Sequence, residues 1–244
     1  MHATAIVRVL IIDDDRVART LLRVVLKHVS GCEVSEAVDG RSACEILQQG
    51  PLPDLCITDF SMPDINGIQL LQQIRASPRW RNMEVILCTA SADRNVVAKA
   101  ASLRVAGYMV KPFEPTRLLE QIRTILDRVT TQKQQMLDAL RARIGLNNEG
   151  CLKKLNRLGS DIGAAISGIR NCLSQGKFQP AKLRLNLLAK ACEILPAGGL
   201  HKAIQSVDDA LQMENLELAV ESLETLESES QSVLSLADSL RAKV

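Results

Sequence analysis

Along the first 129 residues, short apolar runs alternate with segments whose apolar residues recur every three or four positions. The runs are Val7–Ile12, Cys32–Ala37, Leu55–Thr58, Val85–Cys88 and Gly107–Val110, and they predict strands. Between them, Arg16–Val29 has helical spacing through Val17, Leu21, Val24, Val25 and Val29. Gly40–Gln49 turns Ala43, Ile46 and Leu47 inward, and Asn66–Arg75 turns Ile68, Leu71 and Ile74. Asp93–Leu103 reads as a helix capped by its acid. Pro115–Val129 carries Leu118, Leu119, Ile122, Ile125, Leu126 and Val129 at near-ideal spacing. Strictly alternating strands and helices predict an α/β fold, a five-stranded doubly wound parallel sheet. Unbroken apolar strands fit a sheet covered on both faces.

Beyond residue 129 the strand signal stops. Met136, Leu140 and Ile144 prolong the last helix towards Gly145, and Asn147–Gly150 reads as a breaker. Ile162, Ile166, Ile169 and Leu173 form a stripe ending near Gly176. Pro180 predicts the start of a helix carrying Leu183, Leu187, Leu188 and Leu195. Pro196–Gly199 breaks it, and Ile204, Val207 and Leu211 mark the next. The last helix places Leu216, Ala219, Leu223, Leu226, Ser230, Val233, Ala237 and Leu240 in a 3-4 alternation. Several amphipathic helices in succession predict an all-α antiparallel helical bundle. The alternation could instead be a dimer seam, but the other amphipathic helices nearby favour the bundle. The expected division is residues 1–129, a helical extension at 130–150, and a bundle over 151–244.

Composition adds limits. Hydrophobic residues make up 46% of the 244 and aromatic residues only 2%, so the cores must be aliphatic. The seven cysteines, Cys32, Cys44, Cys56, Cys88, Cys151, Cys172 and Cys192, form no CxxC pair. They read as reduced, buried thiols rather than a thiolate metal site. The start of the chain has no basic region ahead of an apolar core, so it does not read as a signal peptide. No stretch approaches a membrane span. The expectation is a soluble, cytoplasmic protein. The net charge of +2 is uninformative, but its distribution is uneven. From Arg141 to Lys190 there are ten Lys/Arg against two Asp/Glu, and from Ala203 to Leu240 nine acids and no Lys/Arg. These are either two faces that attract each other within one bundle or a docking surface.

Chemistry gathers at the strand ends. Asp13, Asp14 and Asp15 close the first apolar run, Asp59 the third, Thr89 the fourth and Lys111 the fifth. The carboxyl ends of strands are where open α/β sheets bind ligands. Carboxylates converging there repel unless a cation intervenes, and an all-oxygen set suits Mg²⁺. One carboxylate can then act as a nucleophile towards phosphorus. Lys111 supplies positive charge and Thr89 a hydroxyl, while the small Ala90 leaves room for a phosphoryl group.

Val9–Asp15, Asp54–Gly67, Val85–Ala90 and Gly107–Phe113 together resemble the receiver domain of two-component response regulators, over residues 5–129 or so. The resemblance implies that Asp59 is the phosphoacceptor. It implies that Asp13, Asp14, Asp59 and the Ser61 carbonyl hold Mg²⁺, and that Thr89, Lys111 and Tyr108 form the switch. It also implies a cis bond before Pro112, and a histidine kinase or phosphotransfer protein as phosphodonor.

Residues from about Leu158 to Leu240 also resemble a histidine-phosphotransfer bundle, but without its histidine. The helix where that family carries it reads Leu187-Leu188-Ala189-Lys190-Ala191-Cys192. The histidines of the chain are His2, His28 and His201, and His201 reads as a surface residue at a helix start. The implied function is a response regulator, not an enzyme, whose helical domain binds a protein target. A homodimer is compatible with this reading. The alternatives are a DNA-binding transcriptional regulator and a phosphatase or phosphotransfer output. No helix-turn-helix pattern or catalytic cluster supports either, and no nucleic-acid-binding residue is assigned.

Overall fold

A computed structural model of the chain describes residues 6–77, 79–90, 94–196 and 198–241. Its elements are β1 (Val7–Ile12), α1 (Arg16–Leu26), β2 (Cys32–Ala37), α2 (Gly40–Gln49), β3 (Leu55–Asp59), α3 (Gly67–Ala76), β4 (Glu84–Thr89), α4 (Arg94–Ser102), β5 (Gly107–Val110) and α5 (Pro115–Ile144). Four helices follow: α6 (Asn148–Ser174), α7 (Phe178–Cys192), α8 (Gly198–Gln212) and α9 (Leu216–Arg241). The chain divides into a unit of residues Ile6–Gln132 and a helical unit from Lys133.

In the first unit the strands are all parallel, in the order β2-β1-β3-β4-β5. Strand side chains alternate faces, so each strand feeds two cores. Val9, Ile11, Ile57 and Ile86 pack with Leu22 and Val25 of α1 and with Leu118, Ile122 and Ile125 of α5. Leu10, Ile12, Cys56 and Val85 pack with Ala43 and Leu47 of α2 and with Leu70, Leu71 and Ile74 of α3. The sheet is thus doubly wound, as its apolar strands predict. β2 lies at an edge, with Cys32 and Val34 half-buried and Glu33, Ser35 and Glu36 exposed, so its glutamates meet solvent.

One helix reading in this unit needs correction. α1 ends at Leu26 rather than Val29, and Val17 and Val24 are exposed while Ala18, Leu22, Val25 and Leu26 are buried. With apolar residues on several sides of this helix, periodicity could be drawn along either of two neighbouring stripes. The Asp93 cap lies outside the described residues.

In the helical unit, α6 packs against α7 and α9, and α8 against α7 and α9. Helices packed along their length and joined by connections this short must run antiparallel. Leu155, Ile162, Ile169, Leu185, Leu188, Leu200, Val207, Leu223 and Leu226 share one core. Leu137 and Leu140 of α5 join it, so α5 supplies apolar residues to both units. The α9 face of Ala219, Leu223, Leu226, Ser230, Val233, Ala237 and Leu240 is buried within the bundle, so this alternation is core and not a dimer seam.

Other boundaries shift for local reasons. Asn147, expected to break a helix, is the N-cap of α6 and accepts from the Gly150 amide at 2.9 Å. Gly198 and Gly199 open α8 rather than interrupt the chain. α7 starts at Phe178, two residues before Pro180. Proline fits there because first-turn amides have no partner within the helix. Leu183 and Leu187 point outward, and Ala181, Leu185, Leu188 and Cys192 fill the core instead. α6 stops where expected, with Gly176 at φ +65° in the left-handed region.

Candidate phosphoacceptor and metal site

The sheet register brings the acids together. Ile12 pairs with Thr58 across β1 and β3, so Asp13 and Asp59 leave the sheet side by side. β1 is also where strand order reverses, with β2 on one side and β3 on the other. Such a switch point opens a crevice at the carboxyl ends. On the far side Thr89 pairs with Val110, and the Lys111 amide donates to the Thr89 carbonyl at 2.7 Å. Lys111 therefore emerges beside the acids. The Lys111–Pro112 bond is cis, as the resemblance implies.

The Lys111 Nζ bridges two carboxylates, at 2.7 Å from Asp13 Oδ2 and 2.8 Å from Asp59 Oδ1. The second oxygen of each carboxylate meets a backbone amide. Asp15 N–H donates to Asp13 Oδ1 at 2.9 Å, and Ser61 N–H donates to Asp59 Oδ2 at 3.1 Å. Asp13 and Asp59 are buried, and Asp14 beside them is exposed. Thr89 is buried and Tyr108 half-buried at the neighbouring strand ends.

Burial pushes the Asp13 carboxyl above its ordinary pKa, against the opposing pull of Lys111 and the Asp15 amide. Burial also disfavours the Lys111 charge, but its hydrogen bonds and attraction to Asp13 and Asp59 outweigh that and raise its pKa. The ammonium therefore stays charged. Behind it, burial raises the Cys88 thiol, which remains protonated and unreactive.

One oxygen from each of Asp13, Asp14 and Asp59 lies within 4.8 Å of the others. Three carboxylates facing one ammonium leave a local excess of negative charge. A hard divalent cation with oxygen ligands fits that donor set.

Three further groups support the site. Arg19 donates to the Asp13 carbonyl at 2.7 Å and the Asp14 carbonyl at 3.2 Å, which fixes the acidic loop. Asp15, read as part of the acidic cluster, caps α1 by accepting from Val17 N–H at 2.8 Å. Gly67 lets α3 start against the Asp59 backbone, because a Cβ there would lie 2.2 Å from the Asp59 carbonyl oxygen. Position four residues after the cap is the one legible cue for Arg19. His201 is exposed in the first turn of α8, well away in sequence from these acids.

A doubly wound parallel sheet with an acidic cluster and a lysine at its switch point defines a narrow class. The family of the response regulator receiver domain matches residues 9–123. The chain is 37% identical over 122 residues to the chemotaxis protein CheY of Pseudomonas aeruginosa, covering 50% of this chain and 98% of that one. It is 35% identical over 122 residues to chemotaxis protein CheY-3 of Vibrio cholerae, covering 50% of this chain and 93% of that one. Among solved structures, chemotaxis response regulator CheY4 of Vibrio cholerae aligns at a TM-score of 0.46 and 26% identity, covering 49% of this chain and 98% of that one. The chain belongs to the response regulator receiver family, and the match ends before the helical unit begins.

Among the described residues no helix is long and apolar enough to cross a membrane. All seven cysteines are free thiols.

Proposed function

We propose that the chain is a phosphorylation-controlled response regulator, with Asp59 as phosphoacceptor and the helical unit as a protein-binding output. The observation that carries this reading is the Lys111 ammonium bridging Asp13 and Asp59 beside Asp14. The phosphodonor is a phosphohistidine on a kinase or phosphotransfer protein, as membership of the receiver family implies.

In the transfer, an Asp59 carboxylate oxygen forms a bond to phosphorus as the phosphorus–nitrogen bond of the donor breaks. The electron pair of that bond returns to the imidazole. Lys111 sits where it offsets charge on the transferring group. Asp13, Asp14, Asp59 and the Ser61 carbonyl would hold Mg²⁺, which supplies further charge neutralisation when bound. The Thr89 hydroxyl turns to the phosphoryl oxygens, and Tyr108 takes up the space released. These contacts exist in one receiver state only, so phosphorylation shifts the population towards it.

The helical unit carries no histidine at the phosphotransfer position, so its role is to bind and not to relay phosphate. α5 contributes Leu118 and Ile122 to the receiver core and Leu137 and Leu140 to the helical core. A small acyl-phosphate donor with Mg²⁺ should label the wild-type chain and leave Asp59→Asn unlabelled. Label of equal stoichiometry on that variant would defeat the assignment.

A further inference from the structure

The charge segregation of the helical unit is largely unspent inside it. If its purpose were internal attraction, ion pairs should join the basic and acidic segments. Arg170 of α6 and Glu227 of α9 form such a pair at 3.0 Å. Arg184, Lys190, Glu217, Glu221 and Glu224 make no salt bridge among the described residues.

Each charged region also holds an exposed apolar pair at helical i, i+4 spacing, which puts both side chains on one face. On α7 these are Leu183 and Leu187, 65% and 63% exposed, flanked by Arg184 and Lys190. Gly168 of α6 lies under the Arg184 side chain, so α6 adds little bulk there. At the start of α9 the pair is Leu216 and Val220, with Met213 just before it at 71% exposed. Glu217, Glu221 and Glu224 run along one side of that second patch and are exposed. Single exposed leucines are ordinary, but contiguous apolar patches rimmed by charge mark interaction sites.

The two patches cannot meet within one molecule. α7 and α9 each pack on α6 and α8, so they stand at opposite corners of the bundle. We propose that the helical unit binds a second copy of this chain head to tail, the basic apolar face of α7 seating on the acidic apolar start of α9. This deepens the reading of the helical unit as a protein-binding output and rests on it. The surface offers both halves of the contact: apolar anchors to desolvate, and opposite charges around them to set the register. Two unlike patches make a heterologous contact, which leaves one free patch at each end of a growing assembly.

The test is sedimentation of the full-length, unphosphorylated chain over about a hundredfold range of concentration. Because no phosphodonor is present, its failure would leave the assignment of Asp59 untouched. The wild type should associate, and salt should weaken the association. Leu183→Glu/Leu187→Glu and, separately, Glu217→Lys/Glu221→Lys should each weaken it by about tenfold or more. All four positions are exposed, so both variants should keep the helical circular dichroism of the wild type. Arg184→Glu/Lys190→Glu, which removes no apolar group, should weaken it too. Each of the first two variants retains one intact patch, so their mixture should form a complex that stops at two chains. A wild type that stays monomeric would overturn the proposal. So would variants that associate like the wild type, or a mixture no more associated than its components.

Discussion

The Gly67 Cα faces the Asp59 carbonyl so closely that a Cβ would sit 2.2 Å from that oxygen. The neighbouring atoms are backbone and the Leu87 side chain, so nothing nearby can swing aside freely. The start of α3 is thereby held against the end of β3, and the Asp59 side chain is aimed from a fixed strand end.

Gly67→Ala should force α3 and β3 apart. The expected cost is about 2 kcal/mol of stability in the receiver unit, typical of overpacking against a rigid neighbour. Phosphoryl labelling of Asp59 should fall with it, since the reacting carboxylate moves. Chemical denaturation followed by a probe in the receiver unit measures the first effect. An alanine variant as stable as the wild type would show that this approach is looser than described.

Mg²⁺ should stabilise the folded receiver through the three-carboxylate cluster. At a free concentration about 100 times the dissociation constant the gain is roughly 2.7 kcal/mol. Asp13→Asn should lose most of that gain, because Asp13 is one of three acids placed to share the ion. Thermal unfolding with and without Mg²⁺, for both proteins, reads the difference. An equal shift in the variant would place the ion elsewhere.

Asp39 caps α2 in a reciprocal box with Ser42, accepting from the Ser42 amide at 2.7 Å. Hydrogen bonds from the Ser42 backbone and side chain hold its carboxyl below the ordinary pKa. A depressed carboxyl contributes stability above its unfolded pKa and loses it as pH falls through the folded value. Asp39→Ala should therefore cost about 1 kcal/mol near neutral pH. The gap between variant and wild type should shrink under acid conditions, below the ordinary aspartate range. A gap that widens on acidification would contradict the capping role.

Much of this was legible in the chain for a physical reason. Strands buried on both faces have to be short and continuously apolar, so Val7–Ile12 and Leu55–Thr58 announce a doubly wound sheet. Residues that end such runs necessarily share one sheet edge, which is why Asp13, Asp59, Thr89 and Lys111 could be grouped. The helical unit was harder to read because leucine occurs on both faces of α7. Leu183 and Leu187 fit a helical period as well as Leu185 and Leu188 do, and only packing decides between them. Supports such as Arg19 act through backbone carbonyls, which leave no pattern of their own in the sequence. Gly67 was visible only as a loop marker, since its close approach to Asp59 exists in three dimensions alone.

The central claim is that Asp59 takes the phosphoryl group. Borohydride reduction of the acyl-phosphate-treated chain converts a phosphoaspartate to homoserine, which peptide mass spectrometry can place. The account predicts homoserine at position 59, dependent on Mg²⁺ and absent elsewhere. Homoserine at Asp13 or Asp14 instead, or none in a folded chain that binds Mg²⁺, would contradict it.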